Sequence, residues 1–385
     1  MNFFCRHAMV LLAFILHGVF FCNAQNEKQN QLSFIHTTRA SGLGGAVACV
    51  PEGIESLLYN PAGLPVRLPE EDTIWTFMLN TDGFFQPKYL FPILRGSSGS
   101  ENSAGNMLLN AKDLITTSGT GASVSAAIGY TGRKWGAGTF FSGSLFLDGA
   151  PFPLGTEGYV QLDMVVPLAY GTNVYKDDNL SLNFGLSVRP GIKIYKELDG
   201  SDVDALLGGS QTVGGIISSS VTHPYLGFPV DAGVILVAFD KPYSAAQIRF
   251  SAVAKNLFGD YYVPGKNIKP LEYPVSVQLG AAAVFPFQIL GLDFYALLSL
   301  ELHNANGMFS NDVSVWQSLC AGFEFSIERI LRFQLGLASG YPCLGLELSL
   351  FAFSAGFSWQ TVETGRYVGD NPLSVFRLSI AFHID

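Results

Sequence analysis

The chain has 385 residues, of which 48% are hydrophobic, 13% aromatic and only 14% charged. About a quarter of the residues in soluble domains are charged, so this composition argues against an ordinary soluble protein. The net charge of -9 argues against a nucleic-acid-binding protein, which carries a basic surface.

The N-terminus has the features of a cleaved export signal. Arg6 and His7 precede an apolar run from Ala8 to Phe21, and Cys22-Asn23-Ala24 follows as a small-x-small cleavage pattern. The run is shorter than the roughly 20 apolar residues of a transmembrane helix. We therefore predict a signal peptide over residues 1–24. A lipoprotein acylated on Cys22 is the alternative, and the bulky Phe21 disfavours it.

Three cysteines, Cys49, Cys320 and Cys343, remain after removal of the signal peptide. An odd number argues against a disulfide framework, although one bridge to Cys49 is conceivable in an oxidising compartment. We favour three apolar free thiols.

Residues 25–73 are rich in glycine and do not alternate like strands. The run Arg39-Ala40-Ser41-Gly42-Leu43-Gly44-Gly45-Ala46 is followed by Tyr59-Asn60-Pro61-Ala62-Gly63-Leu64. Glycine permits positive φ, and Pro61 restricts Asn60, so these residues predict a compact segment with a sharp bend. A dinucleotide-binding fingerprint is excluded, because Val47 stands at the third glycine position and no strand precedes the motif.

This motif resembles the N-terminal signature of the FadL and PorV superfamily of outer-membrane barrels, and most closely an uncharacterised spirochaetal branch. The residues that carry the resemblance are Arg39, Gly42, Gly44, Gly45, Asn60, Pro61 and Gly63. The resemblance implies a fourteen-stranded barrel with residues 25–73 folded into the lumen as a hatch. The FadL branch implies transport of long-chain fatty acids or other hydrophobic compounds, and the PorV branch implies protein secretion and surface attachment. The C-terminal Phe382-His383-Ile384-Asp385 departs from the family, which usually ends on the aromatic residue.

From Trp75 onward, apolar and polar residues alternate with period two, as in strands that face hydrocarbon on one side and a lumen on the other. The polar face is mostly Gly, Ser and Ala, which fits a crowded lumen better than the water-facing side of a soluble sandwich. We predict an all-β transmembrane antiparallel barrel over residues 74–385. Its predicted strands are Trp75–Phe84, Ala122–Tyr130, Trp135–Leu147, Gly158–Tyr170, Leu180–Tyr195, Val230–Phe239, Ala246–Leu257, Pro274–Phe287, Leu292–Leu302, Trp316–Ile327, Leu331–Ala338, Leu344–Leu350, Phe351–Gln360 and Ser374–Ile384.

The connections between these strands alternate between long and short, with the short loop from Gly340 to Cys343 as the exception. In outer-membrane barrels the long loops face outward and the short turns face the periplasm, so we predict that both termini are periplasmic. We expect the cell outer membrane as the location, and outer-membrane lipid and the barrel assembly machinery as partners.

The alternation also predicts that a set of charged side chains faces the lumen. These are Arg189, Lys193, Arg249, Glu324, Arg332, Glu347 and Arg377. One interpretation is that these charges form ion pairs that hold the hatch or guide a carboxylate head group. The other is that they form an internal network that only fills the lumen.

Two further features bear on transport. The long loops contain apolar residues that could form a hydrophobic groove or could bury one another. They are Leu108, Leu109, Leu114, Ile115, Leu206 and Leu207. Pro190-Gly191 interrupts an otherwise regular strand and predicts a kink there, as either a simple bulge or a lateral gap.

The sequence contains no catalytic or metal-binding motif, and we expect neither an enzyme nor a cofactor. The favoured function is passage of long-chain fatty acids or other small hydrophobic molecules across the outer membrane. The alternative is a non-transporting surface scaffold or secretion partner of the PorV type.

Overall fold

The computed structural model describes residues 36–66, 73–85, 120–149, 156–177, 179–199, 201–202, 215, 223–239, 246–309, 314–363, 368–369 and 372–384. The predicted signal peptide and the predicted loop groove of Leu108, Leu109, Leu114, Ile115, Leu206 and Leu207 lie outside these residues.

The described strands form one antiparallel sheet that closes on itself, because β1 pairs with both β2 and β18. The strands are β1 (Thr73–Phe85), β2 (Thr120–Gly132), β3 (Trp135–Gly149), β4 (Thr156–Val165), β5 (Leu168–Lys176), β6 (Leu180–Val188), β7 (Gly191–Leu198), β8 (Tyr225–Gly227), β9 (Val230–Ala238), β10 (Gln247–Leu257), β11 (Tyr261–Tyr262), β12 (Ser276–Ile289), β13 (Leu292–Leu302), β14 (Leu319–Ile327), β15 (Leu331–Ala338), β16 (Tyr341–Leu350), β17 (Phe353–Glu363) and β18 (Pro372–Ile384). Four pairs are successive halves of interrupted strands: β4 with β5, β6 with β7, β8 with β9 and β10 with β11. The fold is therefore a closed barrel of fourteen strands, which confirms the predicted fold class.

Short helices with both ends in the described part of the chain are α1 (Thr38–Gly42), α2 (Glu55–Leu58), α3 (Ala305–Phe309) and α4 (Val315–Ser318). In the described part of the chain, no helix has the length and apolarity needed to cross a membrane. The strand predicted to begin at Trp316 begins instead at Leu319, because Ser314 caps α4 by accepting a hydrogen bond from the Gln317 backbone N–H.

The outer surface is apolar because the side chains of successive strand residues point to opposite faces. On β18, Leu378, Ile380 and Phe382 are about half exposed, while Arg377 and Ala381 are buried in the lumen. Such a continuous apolar outer surface suits hydrocarbon and not water.

Short turns lie at one end of the barrel, among them residues 133–134, 290–291 and 351–352. We call this the turn end and the opposite end, which carries the longer connections, the loop end.

Prolines interrupt three consecutive barrel strands at adjacent register positions. Gly138 donates to the Pro167 carbonyl at 3.0 Å, Val166 to that of Pro190 at 2.9 Å, and the Arg189 N–H to that of Pro229 at 2.8 Å. Proline has no N–H, so each pair lacks the reciprocal ladder bond. We call Pro167, Pro190 and Pro229 the proline seam.

Candidate functional site

Residues 36–66, here called the hatch, lie inside the barrel. Helix α1 begins where the Thr37 side chain accepts the Ala40 N–H at 3.0 Å. Gly44 and Gly45 then turn the chain with φ of 64° and 89°, a conformation that side-chain-bearing residues rarely adopt. The Asn60 side chain accepts the Ala62 N–H at 3.0 Å and begins a 3₁₀ turn at Pro61–Gly63.

Glycines of the wall receive the hatch. Ten glycines on ten different strands lie so close to hatch atoms that an added Cβ would contact them: Gly129, Gly136, Gly171, Gly185, Gly233, Gly280, Gly322, Gly336, Gly345 and Gly356. At Gly185 the added Cβ would overlap the backbone of Pro61 and Ala62, and at Gly233 it would overlap the Asn60 side chain. The hatch therefore contacts the lumen wall on most sides, through side chains at some glycines and backbone against backbone at others, such as Gly185 and Gly336.

Apolar side chains complete this contact. Met78, Ala127, Phe140 and Ala381 are cross-strand neighbours on four adjacent strands, and all four point inward. They form one buried cluster with hatch residues that include Leu57, Tyr59 and Leu64.

Arg39 is the centre of a buried ionic network. Its guanidinium group contacts Glu55 at 2.7 Å and Glu52 at 3.3 Å within the hatch, and Glu324 of β14 at 2.8 Å. Arg332 of β15 contacts Glu52 at 2.7 Å. Two of the predicted lumen charges, Glu324 and Arg332, thus lie in contact with the hatch.

Burial alone would raise the pKa of Glu52, but Arg332 and Arg39 outweigh that effect and lower the pKa to about 2. Burial raises the pKa of Glu55 above its usual range, although Arg39 opposes the shift. Burial, with a smaller contribution from Arg377, holds the pKa of His36 well below its usual value.

Further wall residues hold the hatch by hydrogen bonds. Arg377 of β18 donates to the Ser41 hydroxyl. Glu301 of β13 accepts the backbone N–H of Ala48 and, at 3.4 Å, that of Cys49. The Cys49 Sγ lies 3.0 Å from the Ser251 Oγ of β10. These contacts with three strands, together with the ion pairs to β14 and β15, fix the hatch in one position.

Two polar levels lie on the loop side of the hatch, each one inward-facing residue per strand. The lower level consists of Ser379, Asn80, Ser125, Ser142, Asp163 and Lys193, and the upper level of Arg377, Asp82, Ser123, Ser144 and Gln161. Each level contains one ion pair. Lys193 lies 3.1 Å from Asp163 in the lower level, and Arg377 lies 2.6 Å from Asp82 in the upper level.

One step further toward the loop end, the lumen wall becomes apolar. Val375, Phe84, Gly121, Phe146 and Tyr159 are successive cross-strand neighbours from β18 to β4. The apolar belt, as we name it, consists of Phe84, Phe146, Tyr159, Leu373 and Val375, with Tyr195 and Val362 packed against them. Large apolar side chains are unexpected inside a barrel lumen, which is ordinarily polar.

The other predicted lumen charges have partners or neighbours on the wall. Arg189 contacts Asp231 at 2.8 Å and Asn256 at 2.7 Å beside the proline seam. Arg249 donates to Gln247 at 2.8 Å, and Glu347 is the cross-strand neighbour of Arg332. The strand predicted to kink is interrupted at Arg189–Pro190.

Sequence reasoning missed the glycine contacts and the apolar belt. The glycines carried a signal, since they recur on the inward face of the predicted strands. The apolar belt left little signal in the sequence. Its members are single inward residues near strand ends, where the alternation no longer shows which face a side chain lies on. Among the described residues, no group of three or more His, Cys, Asp or Glu side chains is placed to hold a metal ion.

Sequence comparison finds no matching family model and no matching curated protein. Solved structures similar to the chain include the P. putida toluene transporter TodX, 12% identical, covering 91% of this chain and 98% of that chain with a TM-score of 0.43. A P. aeruginosa FadL homologue is 11% identical, covering 91% and 99% with a TM-score of 0.36. The transport unit of the E. coli autotransporter AIDA-I is 8% identical, covering 84% and 96% with a TM-score of 0.40. We therefore base the functional inference on this chain's own residues.

Proposed function

We propose that this chain is an outer-membrane transport protein that binds small hydrophobic molecules in its lumen and releases them through the barrel wall. The class of molecule implied by the sequence resemblance is the long-chain fatty acids. The single observation that carries the proposal is the apolar belt, which lies inside a lumen whose neighbouring levels are polar.

The belt is suited to binding because burial of apolar surface from water is favourable at about 25 cal/mol per Å². A molecule that leaves water at the loop end meets Phe84, Phe146 and Tyr159 before it reaches the hatch. The polar levels beneath offer it no comparable surface.

The straight route to the turn end is closed by the hatch, which ionic, apolar and backbone contacts hold against the wall. The wall itself is weaker at the proline seam, where three consecutive ladders each lack one hydrogen bond. We infer that an apolar molecule leaves the lumen sideways at the seam and enters the lipid. The hatch then remains in place during transport.

Binding of a neutral fluorescent probe, N-phenyl-1-naphthylamine, to the purified barrel tests the proposal. The variant Phe146→Ala should weaken binding several-fold, because it removes a large side chain from the belt. Phe141→Ala is the matched control, since Phe141 lies on the same strand but faces outward and is 47% exposed. Equal binding by both variants and the unchanged protein would contradict a lumenal site.

A non-transporting scaffold or secretion partner is the second candidate, and the closely fitted hatch favours it too. Such a barrel would yield no hydrophobic molecule when it is extracted and analysed by mass spectrometry, and it would co-purify with a secreted protein. The transport proposal expects a hydrophobic molecule in the extract.

A further inference from the structure

The apolar belt contains a buried hydroxyl that has no hydrogen-bond partner among the described residues. Tyr159 is 7% exposed and lies on the inward face of β4, with its ring 5.6 Å from that of Phe146 and 5.8 Å from that of Tyr195. Its hydroxyl neither accepts a hydrogen bond from nor donates one to any residue in the part of the chain that the structure describes. Because an unpaired buried hydroxyl is unfavourable, its position indicates a hydrogen-bonding group supplied by a bound molecule.

The charge of that molecule follows from the ion pairs around the belt. Among the described residues, the strands that carry the belt (β1, β3, β4, β7, β17 and β18) contain three Lys or Arg side chains. Each already has a carboxylate partner: Arg377 with Asp82 at 2.6 Å, Lys193 with Asp163 at 3.1 Å, and Lys196 with Asp202 at 3.2 Å. An anionic head group placed at the belt would compete with these partners and would be repelled by them.

The carboxylates near the belt are satisfied as well, so they do not call for a cationic ligand. Asp82 also accepts the Ser123 hydroxyl at 2.8 Å, and Asp163 accepts the Gln161 amide at 2.7 Å. Glu363, at the loop end of β17, accepts the Tyr341 hydroxyl at 2.7 Å. Among the described residues of these strands, a charged ligand of either sign would therefore lose its water of hydration and have to compete with an existing partner for any counter-charge.

We propose that the apolar belt binds a neutral molecule, an apolar body with a single hydroxyl or carbonyl oxygen that hydrogen-bonds to the Tyr159 hydroxyl. Alcohols, phenols, ketones and esters belong to this class. The inference rests on the proposed function, because it assigns a ligand to the same lumenal site. It differs from the carboxylate head group considered from the sequence, since Arg377 and Lys193 contact carboxylates of the wall itself.

A matched series of ligands tests the charge class. Para-octylphenol, para-octylbenzoate and para-octylbenzylammonium have the same apolar body with a neutral, an anionic and a cationic group at neutral pH. Each is measured by displacement of N-phenyl-1-naphthylamine from the full barrel. We expect para-octylphenol to bind at least tenfold more tightly than either ion.

The variant Tyr159→Phe tests the hydrogen bond while keeping the ring. It should weaken para-octylphenol binding about five- to tenfold and leave binding of octylbenzene, which has no polar group, unchanged. Loss of both ligands together would indicate general damage to the belt, and the closely related variant Tyr195→Phe serves as control because the Tyr195 hydroxyl already contacts Glu197 at 3.4 Å.

The outcomes separate this inference from the proposed function. Binding of para-octylbenzoate as tight as that of para-octylphenol, or no effect of Tyr159→Phe on para-octylphenol, would overturn the neutral-ligand inference while leaving hydrophobic transport intact. Failure of every ligand, octylbenzene included, to displace the probe would contradict the lumenal site itself, and the inference with it.

Discussion

The Arg39 guanidinium donates to the Glu324 carboxylate across 2.8 Å and thereby joins the hatch to strand β14 of the wall. Both side chains are almost fully buried, and the same guanidinium group also contacts Glu52 and Glu55. Removing Arg39 would leave three carboxylates close together without their shared cation. Removal of one partner from a buried ion pair typically lowers the free energy of unfolding by about 3–5 kcal/mol.

We therefore expect Arg39→Met to lower the free energy of unfolding by about 3–5 kcal/mol, or to release the hatch if the barrel remains folded. Limited proteolysis of residues 36–66 and denaturant unfolding measure the two effects. Lys196→Met, at a partly exposed pair with Asp202, is the control and should cost less than about 1 kcal/mol. Equal effects of the two variants would show that the Arg39 network does not hold the hatch.

The glycine contacts predict strong position dependence among glycine substitutions. Gly185→Ala and Gly233→Ala should each displace the hatch and cost about 1–3 kcal/mol, since the new methyl group meets hatch atoms that are held in place. Gly83→Ala is the matched control, because no atom lies within 4 Å of a Cβ added there. Hydrogen exchange of the hatch amides measures the displacement. Equally fast exchange in Gly83→Ala would show that the close contact between these glycines and the hatch is not the cause.

The hatch also predicts two separate steps of acid destabilisation. The pKa of His36 is lower in the folded protein than its ordinary value of about 6.5, so stability should fall as the pH drops below that value. The pKa of Glu52 is lowered to about 2, so its contribution is complete above about pH 4.3 and is lost between that pH and pH 2. Melting temperatures measured from pH 8 to pH 2 report both steps.

His36→Gln should remove the first step and leave the second, whereas Arg332→Gln should weaken the second and leave the first. A single step that neither variant alters would assign the acid sensitivity to other groups.

Much of the fold could be predicted from the sequence, and the reason is physical. The alternation at Phe376 to Ile384 is imposed by hydrocarbon on one face and a lumen on the other, so strand number and facing follow from the local pattern. The hatch motif could be identified from Arg39, Asn60 and Pro61, but its partners could not. Glu324 lies 285 residues from Arg39 along the chain, and local patterns carry no information about such a pairing.

The proline seam also shows what local sequence patterns cannot predict. Pro190 inside a strand predicted a local irregularity, but the alignment of Pro167, Pro190 and Pro229 depends on the register of neighbouring strands, which the barrel closure determines. The apolar belt likewise exists only after Phe84, Phe146 and Tyr159 are brought to one level by strand pairing.

Exit through the seam predicts that Pro190→Val slows transport. Valine supplies the missing N–H opposite Val166 and should add one ladder bond, about 1 kcal/mol. Gly191 is kept, because an added Cβ would meet the Tyr261 hydroxyl at 2.8 Å. Pro286→Val on β12, outside the seam, is the control. Uptake of labelled para-octylphenol should fall several-fold in the first variant alone, and equal uptake by both variants would remove the seam from the route.

A reversible lock shows whether the hatch moves. The Cys49 Sγ lies 3.0 Å from the Ser251 Oγ, so Ser251→Cys should allow a disulfide between the hatch and β10. We expect the same uptake of para-octylphenol before and after reduction, because the molecule leaves sideways. Uptake that is lost on oxidation and restored by reductant would show instead that the hatch must open.

The most direct test of the central claim is the initial rate at which cells take up radiolabelled para-octylphenol, compared between cells with and without the barrel. We predict a faster rate with the barrel, a rate reduced several-fold by Phe146→Ala, and an unchanged rate with Phe141→Ala at equal amounts of folded protein in the membrane. Uptake no faster with the barrel than without it would contradict transport of hydrophobic molecules by this chain.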